Sequence, residues 1–352
     1  MIERDNMHIN LRTAIGYNKT NIFVVSAREA GKSTTAINDL IYPAFKKGKP
    51  SIILRRQISD ITDDYIESIA ETINEFNEEK VELIYKKSEI SKGCFTIYIK
   101  DKPDVPFIRI IALAVKKTRF KSTILKDVAY ILFDEFIPDT NLGESYLKGE
   151  VNKFQEIVKT YKRFSNKMRY IFLGNVYSLY SPYISTLTSI NPYDMRPGDI
   201  KTDDNSIVWY YKLDPRLIEK IRKRDPEFID ETFDKYCVDG IAVNDEQIRI
   251  YDHQPQSFRL DLIFKFDSKF ILCYRGSNDE CSWWIKVVKD VKLGKNRDVF
   301  CIDWNDMNNG YIFLEGVERD YFYSLKKAMQ FYDVCYENPE GFYLLREIYS
   351  KI

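Results

Sequence analysis

Short apolar runs rich in β-branched residues recur through the first two thirds of the chain. Residues 22–25 (IFVV), 51–54 (SIIL), 107–113, 129–133 (AYILF), 169–175 (RYIFLGN) and 206–213 are predicted to be buried strands. Between them lie segments whose apolar positions fall three and four apart, the spacing of a helix with one buried face. They cover residues 35–45, 60–76 and 144–163. The second carries Ile61, Ile66, Ile69 and Ile73 on that face, and the third Val151, Phe154, Ile157 and Tyr161. Gly48 and Pro50 stop the first of these helices. Segments 81–85 and 94–99 also read as strands, and with 107–113 they suit a small antiparallel insertion closed by Gly and Pro turns. Residues 1–20 are polar and mixed, and Ser181-Pro182-Tyr183 opens a short helix.

The texture changes past residue 212. Residues 213–249 are highly charged and weakly helical, with two Asp-Pro pairs, and read as a linker subdomain. From about residue 250, short strands recur at 258–266, 270–274, 282–288, 298–303 and 310–314, followed by helices at 324–335 and 340–350. The expected organisation is a first domain over 1–212, the linker, and a β-rich domain over 250–352.

The chain has 352 residues, 44% hydrophobic and 30% charged, which supports real cores and argues against disorder. The 53 basic and 53 acidic residues balance, so a nucleic-acid partner would have to meet a local patch. Two basic stretches qualify: Lys116 to Lys121, and Lys286 to Arg297 beside Trp283 and Trp284. Each reads equally as a solvated face, the second as an exposed hairpin with core tryptophans. Six scattered cysteines and two histidines distant in sequence make no zinc pattern and suit reduced thiols in a cytosolic setting. No run is long and apolar enough for a membrane span, and the charged start lacks the apolar stretch of a signal peptide. The expectation is a soluble intracellular protein.

Two stretches carry chemistry. The strand 22–25 breaks into Ser26-Ala27-Arg28-Glu29-Ala30-Gly31-Lys32-Ser33-Thr34, after which helical spacing begins. Strand, short loop, Gly-Lys-Ser and helix form the context of a phosphate-binding loop. The N–H groups at the helix start face the anion, Lys32 reaches the β- and γ-phosphates, and the Ser33 hydroxyl binds Mg²⁺. Ser26 stands where the pattern asks for glycine. The strand 129–133 then ends in Asp134-Glu135, an acid for the Mg²⁺ shell and a general base for an attacking water. Asn175, at another strand end, would sense the γ-phosphate, orient the water or simply form a turn.

The order of these residues resembles the φ29-like phage DNA packaging ATPases. The matching features are Tyr17, the 23–33 loop strand, Leu54-Arg55-Arg56, Phe133-Asp134-Glu135-Phe136, Tyr146, Glu150-Val151, Arg163, Leu173-Gly174-Asn175 and Pro182-Tyr183. The resemblance spans most of the first 190 or so residues and is architectural in the last hundred. It implies an α/β ATPase domain of the ASCE P-loop type with a mostly parallel sheet. The C-terminal domain would then resemble a degenerate RNase H-like nuclease, without nuclease activity. It further implies ATP and Mg²⁺ as cofactors, with Ser26 to Thr34 and Tyr17 at the nucleotide, and Ser33 and Asp134 at the metal. Glu135 would be the base, Arg163 an arginine finger for the neighbouring subunit, Lys121 a second interface cation, and Asn175 the coupling residue. The implied partners are double-stranded DNA, the capsid portal, a structural packaging RNA and copies of the chain in a pentameric ring. The implied location is the portal vertex in the host cytoplasm. Rival readings are another ring-forming DNA translocase or helicase, a terminase with a live nuclease, and a scaffold with a dead loop.

Overall fold

The computed structural model of the chain describes residues 7–349 other than 79, 88–92, 116–124, 140–143, 180, 225–239, 241–247, 267, 268, 293–296 and 332. The expected basic stretch 116–121, with Lys121, and the central part of the linker lie outside the described residues. The chain separates into two compact units, 1–243 and 244–352.

The first unit is built on a sheet of β1 (Asn21–Ser26), β2 (Ser51–Arg55), β3 (Leu83–Lys87), β4 (Cys94–Ile99), β5 (Pro106–Ala112), β6 (Tyr130–Asp134), β7 (Arg169–Asn175), β8 (Ile200–Thr202) and β9 (Ser206–Tyr211). Their order is β3-β4-β5-β2-β6-β7-β1-β9-β8. The six strands from β5 to β9 run parallel, and β3, β4 and β8 add antiparallel edges. The central strands are apolar throughout because both faces are covered. Ile22 and Val24 of β1 face one core, with Ile53, Leu132 and Ile171, while Phe23 and Val25 face the other, with Ile52, Phe133 and Phe172. The antiparallel insertion expected over 81–113 is therefore smaller. β5 is a full member of the parallel sheet, paired with β2 from Ser51↔Ile108 to Arg55↔Ala112. Its near-continuous burial requires cover on both faces, which a surface hairpin lacks.

Helices α1 (Leu11–Gly16), α2 (Lys32–Thr35), α3 (Tyr42–Lys46) and α4 (Asp63–Phe76) cover one face, and α5 (Glu150–Lys162) and α6 (Pro182–Leu187) the other. A further helix, α7 (Pro215–Arg224), follows the sheet. The sequence pattern gave no sign of α1, which is capped by the Asn10 side chain and buries only Leu11 and Ala14. The run from α2 to α3 is continuous through a π-helical stretch, Ala36–Ile41. It lies just ahead of Pro43, which has no N–H to give to the turn before it. Helix α5 starts later than the expected 144. Gly149 takes φ +63°, and Glu144 instead accepts the Asp139 N–H at 2.9 Å.

The second unit holds β10 (Arg259–Phe266), β11 (Lys269–Arg275), β12 (Trp283–Val288), β13 (Val299–Cys301), β14 (Tyr311–Phe313) and β15 (Val334–Tyr336). Helices α8 (Tyr323–Gln330) and α9 (Pro339–Tyr349) accompany them. The sheet order is β14-β13-β10-β11-β12-β15. Strand β11 runs antiparallel to both β10 and β12, and β13 and β14 run parallel to β10. At the other edge β15 runs parallel beside β12. The helix expected over 324–335 ends at Gln330, because Val334, Cys335 and Tyr336 are buried as an edge strand. Trp283 and Trp284 are 1% exposed, and the Trp284 indole N–H donates to the Tyr251 carbonyl at 2.7 Å. They are core residues and offer no face to a nucleobase, while Lys286 is paired with Glu337. The described cysteines are free and buried, and Cys237 lies outside the described residues. No helix among the described residues is long and apolar enough to cross a membrane.

Candidate nucleotide site

The site is assembled at the carboxyl ends of the parallel strands, where β1, β7, β6 and β2 stop. Strand β1 ends in Ser26, fully buried. The chain then turns through Glu29 (φ +58°) and Gly31 (φ +74°) before α2 begins at Lys32. Gly31 is needed for its backbone and for space, since a Cβ there would stand 3.1 Å from the His8 ring. The segment ahead of α1 braces this turn. The Ile9 N–H donates to the Ala30 carbonyl at 3.0 Å, and the Thr35 hydroxyl donates to the Ile9 carbonyl at 3.1 Å.

Lys32 is 9% exposed, and its ammonium donates to Ser26 Oγ (2.7 Å), the Ala27 carbonyl (3.0 Å) and Asn175 Oδ1 (3.0 Å). Burial pushes its pKa down to about 8, against the opposing pull of Asp134 and Glu135, while Arg28 pushes it further down. The Ser33 hydroxyl donates to Asp134 Oδ1 at 3.0 Å. Arg28 turns away from the lysine, donating to the Tyr177 hydroxyl at 2.6 Å and to Asp139 at 3.4 Å.

Asp134 closes β6 and is 9% exposed, and Glu135 follows in a left-handed conformation, φ +59°. Its half-exposed carboxylate is held by Arg55, from the end of β2, at 2.7 Å. Arg55 also approaches Asp134 at 3.7 Å and lies over the Tyr65 ring, and its Nε–H finds no partner among the described residues. Burial works against the Arg55 charge, but Glu135 and Asp134 outweigh it and its pKa rises. A cleft of about 370 Å³ opens beside these groups, lined by Arg55, Asp60, Asp134, Glu135 and Glu144. Neighbouring Arg56 is buried, with its guanidinium on Glu150 and on the backbone after Asp134. Leu54-Arg55-Arg56 is among the features that carry the resemblance, but neither arginine has a role assigned from the sequence, where they are two consecutive arginines closing a buried strand.

Residues 4–340 match the podovirus DNA encapsidation protein (Gp16) family. The chain belongs to that family. It is 22% identical over 326 residues to the DNA packaging protein of Bacillus phage phi29, covering 90% of this chain and 89% of that one. In structure it is similar to a chain of the bacteriophage Phi-29 viral genome packaging motor assembly. That match has a TM-score of 0.65 at 18% identity, over 98% of this chain and 99% of the other. It is also similar to the Phi-28 gp11 DNA packaging motor, with a TM-score of 0.60 at 17% identity over 96% of each. At these identities the structural likeness speaks to the fold.

In this Gp16-family chain the sheet order decides which expected site residues meet. Strand β7 lies between β1 and β6, with Asn175 in register with Ser26 and Leu173 with Asp134. Ser26, Ala27, Lys32, Ser33, Asp134 and Asn175 therefore converge, and Glu135 stands at their edge. Thr34 follows in the first turn of α2. Arg28 and Glu29 point to other partners, Glu29 forming an ion pair with Arg224. Two expected residues are not brought to the loop. Tyr17 is 44% exposed and precedes β1, so it stands at the far end of that strand. Arg163 is exposed at the C-terminal cap of α5, next to Phe164, whose carbonyl accepts the Asp127 N–H ahead of β6. It too lies at the amino-terminal end of the sheet. Lys121 is outside the described residues.

Proposed function

We propose that this chain is a Mg²⁺-dependent ATPase whose hydrolysis drives double-stranded DNA into a capsid. It works as a homo-oligomeric ring of five subunits at the portal in the host cytoplasm. The observation that carries this is Lys32. A buried ammonium bonded only to neutral oxygens, one residue from a hydroxyl that faces a buried carboxylate, is a cation held ready for an anion. Ser33 and Asp134 offer hard oxygen donors side by side, the set that suits Mg²⁺. When bound, Mg²⁺ supplies charge neutralisation on the phosphate oxygens.

The chain's own groups then divide the work. The loop 26–34 receives the phosphates, with Lys32 exchanging its neutral acceptors for them. Glu135 takes a proton from the attacking water. Its carboxylate must first leave Arg55, so Arg55 restrains the base until the site is filled. Asn175 loses the Lys32 donor when the lysine turns to phosphate, which suits a residue that couples the nucleotide's state to movement. Arg163, at the other end of the sheet from its own loop, suits a finger offered to a neighbouring subunit, a role that contributes about 10³- to 10⁵-fold in rate. Lys121 is assigned to the same interface by resemblance.

The C-terminal unit is read as a docking domain for the portal or a packaging RNA, without nuclease activity. Asp303 lies two residues past Cys301, which is paired with Lys265, whereas Asp261 lies four residues before Lys265. Asp303 thus lies beyond the end of β13 and Asp261 near the start of β10, offset along the paired strands, which speaks against one shared two-metal site.

The test is ATP turnover with and without double-stranded DNA. DNA should stimulate the wild type, Lys32→Ala should lose turnover, and Glu135→Gln should lose turnover while still binding ATP. Normal turnover in Lys32→Ala would sink the site assignment.

A further inference from the structure

Beneath the surface of the site lies a second arginine that no step above uses. Arg56 is 6% exposed and Glu150, the first residue of α5, is 3% exposed. Their pairing is bidentate, Nε to Oε2 at 3.1 Å and Nη2 to Oε1 at 3.3 Å. The rest of the guanidinium is spent on backbone. Nη1 donates to the Glu135 carbonyl at 3.1 Å, and Nη2 to the Phe136 carbonyl at 2.8 Å. Glu150 is fixed in turn by the Tyr183 hydroxyl at 3.0 Å and the Leu147 N–H at 2.7 Å. On its other side the Phe136 N–H donates to the Leu173 carbonyl of β7 at 3.1 Å.

We propose that Arg56, oriented by Glu150, is a positioning residue that holds the backbone of Glu135 in its left-handed turn and so aims that side chain. The inference rests on the reading of Glu135 as the base. A left-handed non-glycine residue is strained and persists only when its surroundings impose it. Here the imposing groups are visible: two guanidinium donors on consecutive carbonyls, and β7 on the next N–H. A buried ion pair adds little to stability by charge alone, since desolvation offsets attraction. What this one provides is geometry, a planar fork that binds one carboxylate and two carbonyls at once, which a lysine cannot reproduce. The side chain of Glu135 stays free to exchange Arg55 for water while its backbone does not move.

Arg56→Lys keeps the charge beside Glu150 and loses the fork. Steady-state ATP hydrolysis should show kcat reduced about 10- to 100-fold. The KM for ATP should stay within about twofold, and the melting temperature within about 5 °C of wild type. The paired variant Arg56→Met with Glu150→Gln removes both charges together and should give the same split. Unchanged kcat in either folded variant overturns the proposal. So does a loss of ATP affinity matching the loss of kcat, since a merely structural role would damage both. If the paired variant does not fold, Arg56→Lys alone decides. Glu135→Gln measured in parallel separates the two readings. Full turnover there removes the base assignment itself, whereas its loss alongside a normal Arg56→Lys removes only the positioning role.

Discussion

The buried lysine makes nucleotide affinity depend on pH in a direction that the structure fixes. In the free protein Lys32 titrates at about 8, chiefly because its ammonium is taken out of water. Only the charged form attracts a phosphate, so apparent affinity scales with its fraction. That fraction is about nine tenths at pH 7, one half at pH 8 and one tenth at pH 9. A fluorescent ATP analogue, titrated in EDTA so that no divalent cation intervenes, should therefore bind about tenfold more weakly at pH 9 than at pH 7, or about 1.4 kcal/mol. The neighbours set the midpoint. Asp134 and Glu135 raise the lysine and Arg28 lowers it, so Glu135→Gln should move the midpoint down and Arg28→Gln should move it up. Lys32→Arg should show no midpoint below pH 10, because a guanidinium keeps its charge throughout that range. The sign for stability follows from the same shift. Between pH 8 and the ordinary lysine value of 10.5 the unfolded chain holds a proton that the folded chain has released, so the free protein gains stability as pH rises through that window. Equal affinity at pH 7 and pH 9 in the wild type would refute the assignment of Lys32 as a buried, phosphate-facing ammonium.

Two further outcomes test the packing and the ring. Gly174→Ala puts a Cβ 2.8 Å from Phe136 and 3.1 Å from Ile137, both buried. It should cost about 1–3 kcal/mol in denaturant unfolding and slow turnover by moving the residue after Glu135, and wild-type values in both would show that the contact is relieved freely. Arg163→Ala should be inactive alone yet recover turnover when mixed with Glu135→Gln, each subunit supplying what the other lacks. Mixed rings with no recovery at any ratio would remove the trans role.

The parts of the site legible in the sequence are those whose signal is local. Residues 22–34 show strand, loop and helix start within one window. The run before Asp134 is continuous because β6 is covered on both faces. The arginines were not legible, because their meaning depends on pairing. Arg55 and Arg56 matter only once β2 lies beside β6, across some 80 residues of chain. Helix α5 was placed too early because its apolar spacing extends back through Tyr146 and Leu147, and nothing in that spacing reveals that Gly149 turns left-handed. The tryptophans of β12 left two readings open for a related reason. Next to lysines they resemble a stacking surface, but β15 pairs beside β12 and both rings are buried.

Ser26 shows how the three-dimensional setting changes the meaning of a departure from a motif. A glycine at that position is commonly explained by backbone freedom, but here the left-handed residues are Glu29 and Gly31, and Ser26 is an ordinary strand residue paired to both β7 and β9. Nothing in its backbone calls for glycine. Its hydroxyl, fully buried, needs partners. It finds them inside the loop, donating to the Ala27 carbonyl at 2.7 Å and accepting from Lys32 at 2.7 Å. An ammonium has three donors. Ser26, Ala27 and Asn175 supply three acceptors, all uncharged, from two adjacent strand ends and the turn between β1 and α2. The serine thus completes the cradle of a lysine that stays charged although buried, and that cradle exists only because β7 is threaded between β1 and β6.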